Sequence, residues 1–168
     1  GSANTATGYY SLNKNTTGAN NVAVGTAAMN ENISGSYNTS IGHYSMRNNS
    51  SSEYNTSLGA YALNNINSGG YNTAVGGNAG RYIIGGGANQ SATGSTYVGY
   101  NTKSGGIGRT NEIVIGAEAE GFGSNSTVIG TTATTKAFIY GNLSANTISA
   151  TTYYNLPSSI DTYVTGGT

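Results

Sequence analysis

The sequence predicts an all-β protein, a parallel β-roll or β-solenoid in which each turn of the chain stacks on the turn before it. Three observations predict this class. A glycine recurs every 17 residues through the first half of the chain, it closes nearly the same five-residue motif each time, and that motif is rich in β-branched residues. A fixed short period is typical of stacked repeats, in which one unit is stable only against its neighbours.

Five copies of the motif establish the period. Each copy begins with Asn, has Ala or Ser third and ends with Gly, and the copies span residues 4–8, 21–25, 38–42, 55–59 and 72–76. Glycine and asparagine at fixed places suit tight bends, and the β-branched residues between them favour short strands. We therefore expect each 17-residue unit to form one coil with a strand at the motif.

Three further motifs extend the repeat with less regular spacing. Residues 95–99 follow after 23 residues instead of 17, which indicates an insertion near 84–91, and residues 112–116 and 126–130 follow after 17 and 14 residues. We expect about eight coils over residues 3–130. Residues 131–168 are expected to form an extended β junction that leads to a further fibre module.

Stacked coils place equivalent residues above one another, so each position of the repeat becomes a column. With the motif glycine as position zero, columns −1 and +4 carry mostly aliphatic residues and are predicted to form the core. The core residues of column −1 are Val24, Ile41, Leu58 and Val75, and those of column +4 are Leu12, Met29, Met46 and Leu63.

Two other columns are predicted to have different roles. Column −4 is expected to form an asparagine ladder, because stacked amides can hydrogen-bond from one coil to the next. Column −2 faces away from column −1 and carries small residues that would let another backbone approach closely, which makes it a candidate oligomer interface. The ladder comprises Asn4, Asn21, Asn38, Asn55 and Asn72, and the candidate interface comprises Ala6, Ala23, Ser40, Ser57 and Ala74.

Composition and charge argue against several functions. Only 7% of the residues are charged and the formal net charge is zero, so there is no basic surface for nucleic-acid phosphates. No apolar run approaches the roughly 20 residues of a membrane-spanning helix, and membrane insertion is not expected. The chain has one histidine, His43, and no cysteine. We expect no catalytic, cofactor or metal site.

Two places carry residues suited to recognition or chemistry. The insertion with Arg81, Tyr82 and Gln90 is a candidate receptor-binding loop, because loops often carry recognition; a spacer loop is the simpler interpretation. Glu118 and Glu120 share one strand face roughly 7 Å apart, in the range of an inverting glycosidase pair. Two exposed acids that block edge pairing explain them as well.

The eight phased motifs, with their N-T-A-V-G core at residues 72–76, resemble the head repeats of YadA-like trimeric adhesins, and near-identical repeats occur in bacteriophage tail fibres. The resemblance covers roughly residues 4–130. It implies a left-handed β-roll and a homotrimer whose chains lie side by side or intertwine. Residues 149–157 look like a junction found in phage tail-fibre proteins.

The resemblance implies a structural and adhesive segment of a trimeric fibre rather than an enzyme. The closest type is a bacteriophage tail fibre, located on the virion, that acts as shaft or head in attachment to a host-surface glycan or protein. Three alternatives stay open. They are the head of a bacterial trimeric autotransporter on the outer surface, an ice-binding solenoid and a polysaccharide-degrading tailspike.

Overall fold

The computed structural model describes residues 1–134, in which parallel strands stack as a β-solenoid of about seven turns and no helix is formed. The predicted all-β solenoid class is therefore confirmed. The strands are β1 Thr5–Thr7, β2 Val22–Val24, β3 Thr39–Ile41, β4 Thr56–Leu58, β5 Thr73–Val75, β6 Tyr82–Ile83, β7 Thr96–Val98, β8 Lys103–Ser104, β9 Ile113–Ile115 and β10 Thr127–Ile129. From residue 135 onward, the predicted junction lies outside the described residues.

One strand from each motif enters a single parallel sheet. Its eight strands follow the order β1-β2-β3-β4-β5-β7-β9-β10, so neighbouring coils are neighbours in the sheet. The register places equivalent residues directly above one another, and Ile41 pairs with Val24 on one side and with Leu58 on the other. The columns that the period predicts are therefore present. We number the coils by their motif glycines, so that coil 1 carries Gly8, coil 2 Gly25 and coil 3 Gly42.

The predicted insertion forms a small excursion from the solenoid. Tyr82 and Ala88 make an antiparallel bridge, and the Ile83 amide donates to the Gly87 carbonyl at 2.9 Å. The chain then returns to the wall of the solenoid, where the Gln90 carbonyl accepts the Asn67 amide at 2.9 Å. Strand β6 at the start of the excursion pairs with β8 in a separate two-stranded sheet. The longer spacing is thus absorbed without breaking the main sheet, because β5 pairs directly with β7.

The motif glycines are required by both backbone conformation and space. Gly59 has φ of 141°, which side chains with a Cβ rarely adopt, and an added Cβ would lie 2.4 Å from the Gly76 carbonyl oxygen. The other motif glycines from Gly8 to Gly99 stack in the same way, each against the motif glycine of the next coil. Glycine is the residue that allows two backbones to approach this closely, so its recurrence fixes where each coil bends.

The interior is narrow and lies on the opposite side of the strands from the one predicted. Ala23, Ser40, Ser57 and Ala74 of column −2 are fully buried within the single chain. Across the interior, column +4 supplies the larger side chains: Met29, Met46 and Leu63 are fully buried and Leu12 is nearly so. The buried space is closed by small residues on one wall and long ones on the other.

The prediction that column −1 forms the core is wrong. Ile41, Leu58 and Val75 are 38%, 47% and 36% exposed, and Val24 is partly exposed. Side chains alternate along a strand, so once column −2 faces inward, column −1 must face outward. Alanine and serine fill the inner wall in coils 2 to 5, and Tyr97 and Val114 fill it in coils 6 and 7.

Column −4 forms the asparagine ladder inside the solenoid. The Nδ2 of Asn38 donates to the Oδ1 of Asn21 at 3.2 Å and to the Ser52 carbonyl at 2.9 Å, and the Asn38 backbone amide donates to the same Oδ1 at 3.0 Å. The same pattern links Asn4 through Asn72. Each buried amide is thereby satisfied, which removes the cost of burying a polar group.

A second, shorter ladder was not predicted. Asn32 donates to Asn15 at 2.7 Å and Asn49 donates to Asn32 at 3.1 Å, again from coil to coil. It stops at Ile66, which occupies the equivalent place in the next coil and is fully buried. The signal in the sequence was the recurrence of asparagine seven residues after the motif glycine.

Many residues adopt left-handed backbone conformations at fixed columns. Positive φ occurs at +2, +4 and −5, for example 54° at Tyr44, 47° at Met46 and 59° at Tyr37. Such conformations cost a non-glycine residue of order 1 kcal/mol or more. None of the non-glycine residues described with positive φ is β-branched, in agreement with the greater steric cost of branching at Cβ.

Candidate interaction surfaces

The outer face of the eight-stranded sheet is a surface of aliphatic and threonine side chains, which we call the outer sheet face. It consists of columns −3 and −1, whose side chains both point away from the interior. Column −1 carries Thr7, Val24, Ile41, Leu58, Val75, Val98, Ile115 and Ile129, and column −3 carries Thr5, Val22, Thr39, Thr56, Thr73, Thr96, Ile113 and Thr127. There are no charged residues in these two columns.

The outer sheet face is long, and its strands are in register. Seven strand spacings of about 4.8 Å give it a length of roughly 34 Å. Its aliphatic side chains include Val22, Ile41, Leu58, Val75, Ile113 and Ile115, each 36–47% exposed, and Ile129, 71% exposed. A contiguous exposed aliphatic surface of this extent is typical of an interaction site.

The predicted interface at column −2 is therefore wrong. Ala23, Ser40, Ser57 and Ala74 are enclosed by their own chain, and Ala6 in the first coil is exposed. The Ser57 hydroxyl donates to the Ala62 carbonyl at 2.9 Å, across the interior of its own coil. These side chains are occupied within the chain, so another protomer can reach the strands through the opposite face.

Tyrosine rings form a stacked column at the position before the ladder. Tyr37, Tyr54 and Tyr71 lie with ring centroids 4.9 and 5.0 Å apart and planes within 3° of parallel. All three rings are exposed. Partial desolvation of Tyr54, followed by the charges that Tyr37 and Tyr71 would carry, raises the pKa of Tyr54. The rings are packed against one another, in agreement with a packing role.

Part of the candidate receptor loop packs against aromatic rings of the same chain. The Arg81 guanidinium lies over two rings, 4.4 Å from the Tyr61 centroid and 4.7 Å from the Tyr82 centroid. Its Nη1 donates to the Asn78 Oδ1 at 2.9 Å, and its Nε is buried without a hydrogen-bond partner. Gln90 is exposed, and no hydrogen bond joins its side chain to Arg81 or Tyr82 within residues 1–134. The structure thus brings Arg81 and Tyr82 into contact, and the Asn89 amide, next to Gln90, donates to the Arg81 carbonyl at 3.1 Å.

His43 lies on the same surface as this cluster. It is exposed, and its ring meets Tyr44 edge-on at 4.1 Å and Tyr61 at 5.5 Å. No group of three or more His, Cys, Asp or Glu side chains in the described part of the chain is arranged to hold a metal ion. The geometry assigns His43 an aromatic packing role.

A buried glutamate was missed by the sequence interpretation. Glu112 occupies the ladder column in coil 7 and is fully buried. Its carboxylate accepts the Ser104 hydroxyl at 2.6 Å, the Gly105 and Gly123 amides at 3.0 Å each, and the Tyr97 hydroxyl at 3.3 Å. Four donors satisfy the carboxylate, so it acts as a hub between coils. The signal was an acid in a column otherwise composed of Asn and Ser.

Tyr97 fills the interior beside this hub. It is fully buried, and burial raises the pKa of Tyr97 above its ordinary value, with the nearby Glu112 charge acting in the same direction. Tyr97 belongs to column −2, where coils 1 to 5 have Ala or Ser and coils 7 and 8 have Val114 and Val128. The interior accepts it because coil 5 has glycine, Gly80, in the facing +4 column, where an added Cβ would lie 2.6 Å from the Tyr97 ring.

The two acids considered as a glycosidase pair have separate partners. Glu120 accepts the Lys103 ammonium at 2.7 Å, and Glu118 accepts the Asn101 amide at 2.7 Å. The hydrogen bond from Lys103 to Glu120 raises the pKa of Lys103. Both contacts join neighbouring coils, which is a sufficient structural role for the two carboxylates.

No family model matches the chain, and neither does any curated protein or solved structure. The solenoid is shown by its own strand pairing, whereas the resemblance to YadA-like head repeats stays a prediction. Among residues 1–134 there is no helix of the length and apolar character that crossing a membrane requires.

Proposed function

We propose that residues 1–134 are a structural and adhesive segment of a homotrimeric extracellular fibre, with the bacteriophage tail fibre as its closest type and the virion as its location. The observation that carries the proposal is the outer sheet face. Its aliphatic column runs along all the coils after the first and is not covered by the chain itself. A second and third copy would cover it.

The energetic argument is additive along the solenoid. Removing apolar surface from water stabilises an association by roughly 25 cal/mol per Å². Each coil contributes a small aliphatic area, such as that of Ile41 or Leu58, and the contributions accumulate because the coils are in register. Shape complementarity over several coils is then available to the assembly without any large single anchor.

The periodicity favours another copy of this chain as the occupant. The exposed side chains recur at one coil spacing, and only a partner with the same rise can match them coil by coil. A second copy of the chain has the same rise because it has the same fold. Identical chains commonly assemble with closed symmetry. The number three comes from the resemblance to trimeric adhesins and tail fibres.

The proposed mechanism is mechanical and multivalent. Solenoids joined along their length form a rod that holds a distal module at a fixed distance from its base. Any weak surface contact is repeated once per protomer, and such repetition strengthens attachment without new contacts. The same rod would serve a bacterial autotransporter, so the modules encoded on either side of this segment would distinguish that alternative.

The test is the oligomeric state of a variant with a less apolar outer sheet face. Ile41→Thr, Leu58→Thr and Val75→Thr combined would give column −1 the residue that Thr7 already places there. We expect the wild-type chain to be trimeric and the triple variant to lose at least about tenfold in association affinity, measured by light scattering with sedimentation equilibrium.

The matched control for this test replaces aliphatic residues that are exposed elsewhere. Ile33 and Ile107 are 49% and 66% exposed and lie outside the strands of the sheet. Ile33→Thr combined with Ile107→Thr should leave the trimer intact. A wild-type chain that stays monomeric at high concentration, or a triple variant that assembles as well as the wild type, would contradict the proposal.

A second candidate function is supported by the same surface. Column −3 presents Thr5, Thr39, Thr56, Thr73, Thr96 and Thr127 outward on the sheet, beside the aliphatic column −1. An ice-binding solenoid would need two parallel ranks of threonine, and this surface has one, interrupted at Val22 and Ile113. Thermal hysteresis that disappears on Thr56→Lys substitution would favour this function, and its absence in the wild type would remove it.

A further inference from the structure

The aromatic column at +2 has a gap of one coil. Coil 1 carries Tyr9 and Tyr10 at positions +1 and +2, and coil 3 carries His43 and Tyr44 there. Coil 2 carries small side chains instead, because Thr26 and Ala27 occupy those positions. Two large rings are thus missing from one coil between two coils that have them.

The gap is an open cavity of about 390 Å³, which we call the coil-2 slot. Tyr10 and Tyr44 bound it along the solenoid axis, and Ala27, 4% exposed, forms its floor. Two coil spacings separate the flanking rings by about 10 Å. This leaves room for one six-membered ring between two aromatic surfaces, within the usual volume range of small-molecule sites.

The remaining walls of the slot are polar. They come from position +5 of coils 1 to 3, which carries Asn13, Asn30 and Arg47. Asn30 is 7% exposed, and its Nδ2 donates to the Tyr10 carbonyl at 3.1 Å. That contact holds the amide in place, and its Oδ1 has no hydrogen-bond partner among the described residues. A fixed acceptor therefore lies at the side of the slot.

Arg47 adds donors and a positive charge. Its Cζ lies 5.0 Å from the centroid of the Tyr44 ring, so the guanidinium covers that ring at the edge of the slot. Within residues 1–134 the ion pairs are Lys14 with Glu31 and Lys103 with Glu120. Arg47 has no carboxylate partner there, and its five donors remain available for one.

We propose that the coil-2 slot binds one pyranose ring of a glycan, with a preference for a sugar that carries a carboxylate. A pyranose has apolar faces that stack on aromatic rings and hydroxyl groups around its edge. The slot offers the Tyr10 ring at one end, the Tyr44 ring with the Arg47 guanidinium over it at the other, and amides at the side. The proposal supplies a ligand for the attachment role proposed above.

The decisive variant is Ala27→Tyr, which closes the slot by completing the aromatic column. The chain already places tyrosine at this position in coils 1, 3 and 4, at φ of 58°, 54° and 59°, and Ala27 has φ of 53°. Tyrosine should therefore fit without refolding. Asn78→Tyr is the matched control, because it adds the same ring at the same column of coil 5, with φ of 56°, outside the slot.

Two probes that differ by one group test the assignment: methyl β-D-glucopyranoside and methyl β-D-glucopyranosiduronate. Binding to the full chain is measured by saturation-transfer NMR and by titration, with dissociation constants on the order of 1 mM for one sugar ring. We expect tighter binding of the acidic probe, at least a tenfold loss in Ala27→Tyr, and wild-type binding in Asn78→Tyr. Arg47→Gln should remove the preference for the acidic probe.

Several results would overturn the proposal. They are the absence of binding of both probes to the wild type, an equal loss in Ala27→Tyr and Asn78→Tyr, and an acidic preference that survives Arg47→Gln. Equal affinity for N-acetyl-tyrosinamide would identify a pocket for aromatic groups instead of sugars. The outer-sheet-face variant keeps every residue of the slot, so sugar binding should persist when its assembly is lost. A wild-type chain that stays monomeric and still binds the acidic probe would reject the trimer alone.

Discussion

At the scale of single residues, the solenoid has, in place of a large apolar core, a column of buried polar side chains that hydrogen-bond from coil to coil. In Asn38 and its equivalents, the side-chain oxygen accepts hydrogen bonds within the interior, and the side-chain amide and the backbone amide donate them. Glu112 continues that column with a carboxylate that receives four donors. A satisfied polar column of this kind specifies register strictly, because a slip of one residue would leave every member unpaired.

Tyr97 makes stability sensitive to alkaline pH. Its pKa is raised in the folded chain by burial, whereas an exposed tyrosine ionises near pH 10. The unfolded chain therefore loses this proton first. The contribution of Tyr97 is complete below about pH 10 and declines as pH rises from there towards the folded pKa, by up to about 1.4 kcal/mol per pH unit.

We expect Tyr97→Phe to flatten this alkaline decline while costing about 1 kcal/mol at neutral pH through the lost hydroxyl contact with Glu112. Urea unfolding at pH 7 to 11 measures both effects. Tyr100→Phe, at a ring that is 57% exposed, should retain the wild-type pH dependence. Parallel curves for Tyr97→Phe and wild type would show that another group controls the decline.

At the scale of one coil, a small residue on one wall of the interior is matched by a large residue on the facing wall. Coil 5 has Gly80 where coils 1 to 4 have Leu or Met, and the next strand has Tyr97 where coils 2 to 5 have Ala or Ser. A side chain at position 80 would meet both the Tyr97 ring and Leu63. The small Gly80 therefore compensates for the large Tyr97, and the two residues belong to adjacent coils.

This pairing predicts a favourable coupling between two destabilising substitutions. Gly80→Leu should cost about 1–3 kcal/mol by overpacking, and Tyr97→Ala about 3–5 kcal/mol by leaving a cavity. The double variant restores the combination found in coils 1 to 4, so we expect it to be more stable than the sum of the single effects by about 2 kcal/mol. Strict additivity in urea unfolding would contradict the compensation.

The same scale shows what could be predicted from the sequence. Strand positions, the ladder of Asn4 to Asn72 and the burial of column +4 followed from the period alone. The orientation of the strands did not, because aliphatic Ile41 and Leu58 favour the interior on hydrophobicity whereas small Ser40 and Ser57 occupy it. Deciding between them requires the distance between the walls of a coil. The coil-2 slot was visible only as Ala27 in a column of tyrosines.

At the scale of the whole molecule, the described residues behave as a linear stack in which each coil contacts its neighbours. The register of Val24, Ile41 and Leu58 continues without offset through the first five strands. Stability is then expected to vary with the number of coils rather than with any one of them. A complete coil is the smallest piece that can be removed while all columns are kept.

Deletion of residues 43–59 should therefore be tolerated. It joins Gly42 to Ala60, brings Asn38 next to Asn72 in the ladder, and shortens the stack by one strand. We expect β-type circular dichroism to persist with a modest decrease in melting temperature. Deletion of residues 43–50, which breaks the period, should abolish cooperative unfolding. Equal damage from both deletions would contradict a modular stack.

The stacking of coils along one axis also determines how such a rod yields to force. A pull along that axis loads the hydrogen bonds between neighbouring coils directly, so turns would detach one at a time from an end. Each detached turn of 17 residues spans roughly 58 Å when extended, against about 4.8 Å in the stack. A tether made of these turns would absorb a sudden load by lengthening in near-equal increments before its attachment breaks.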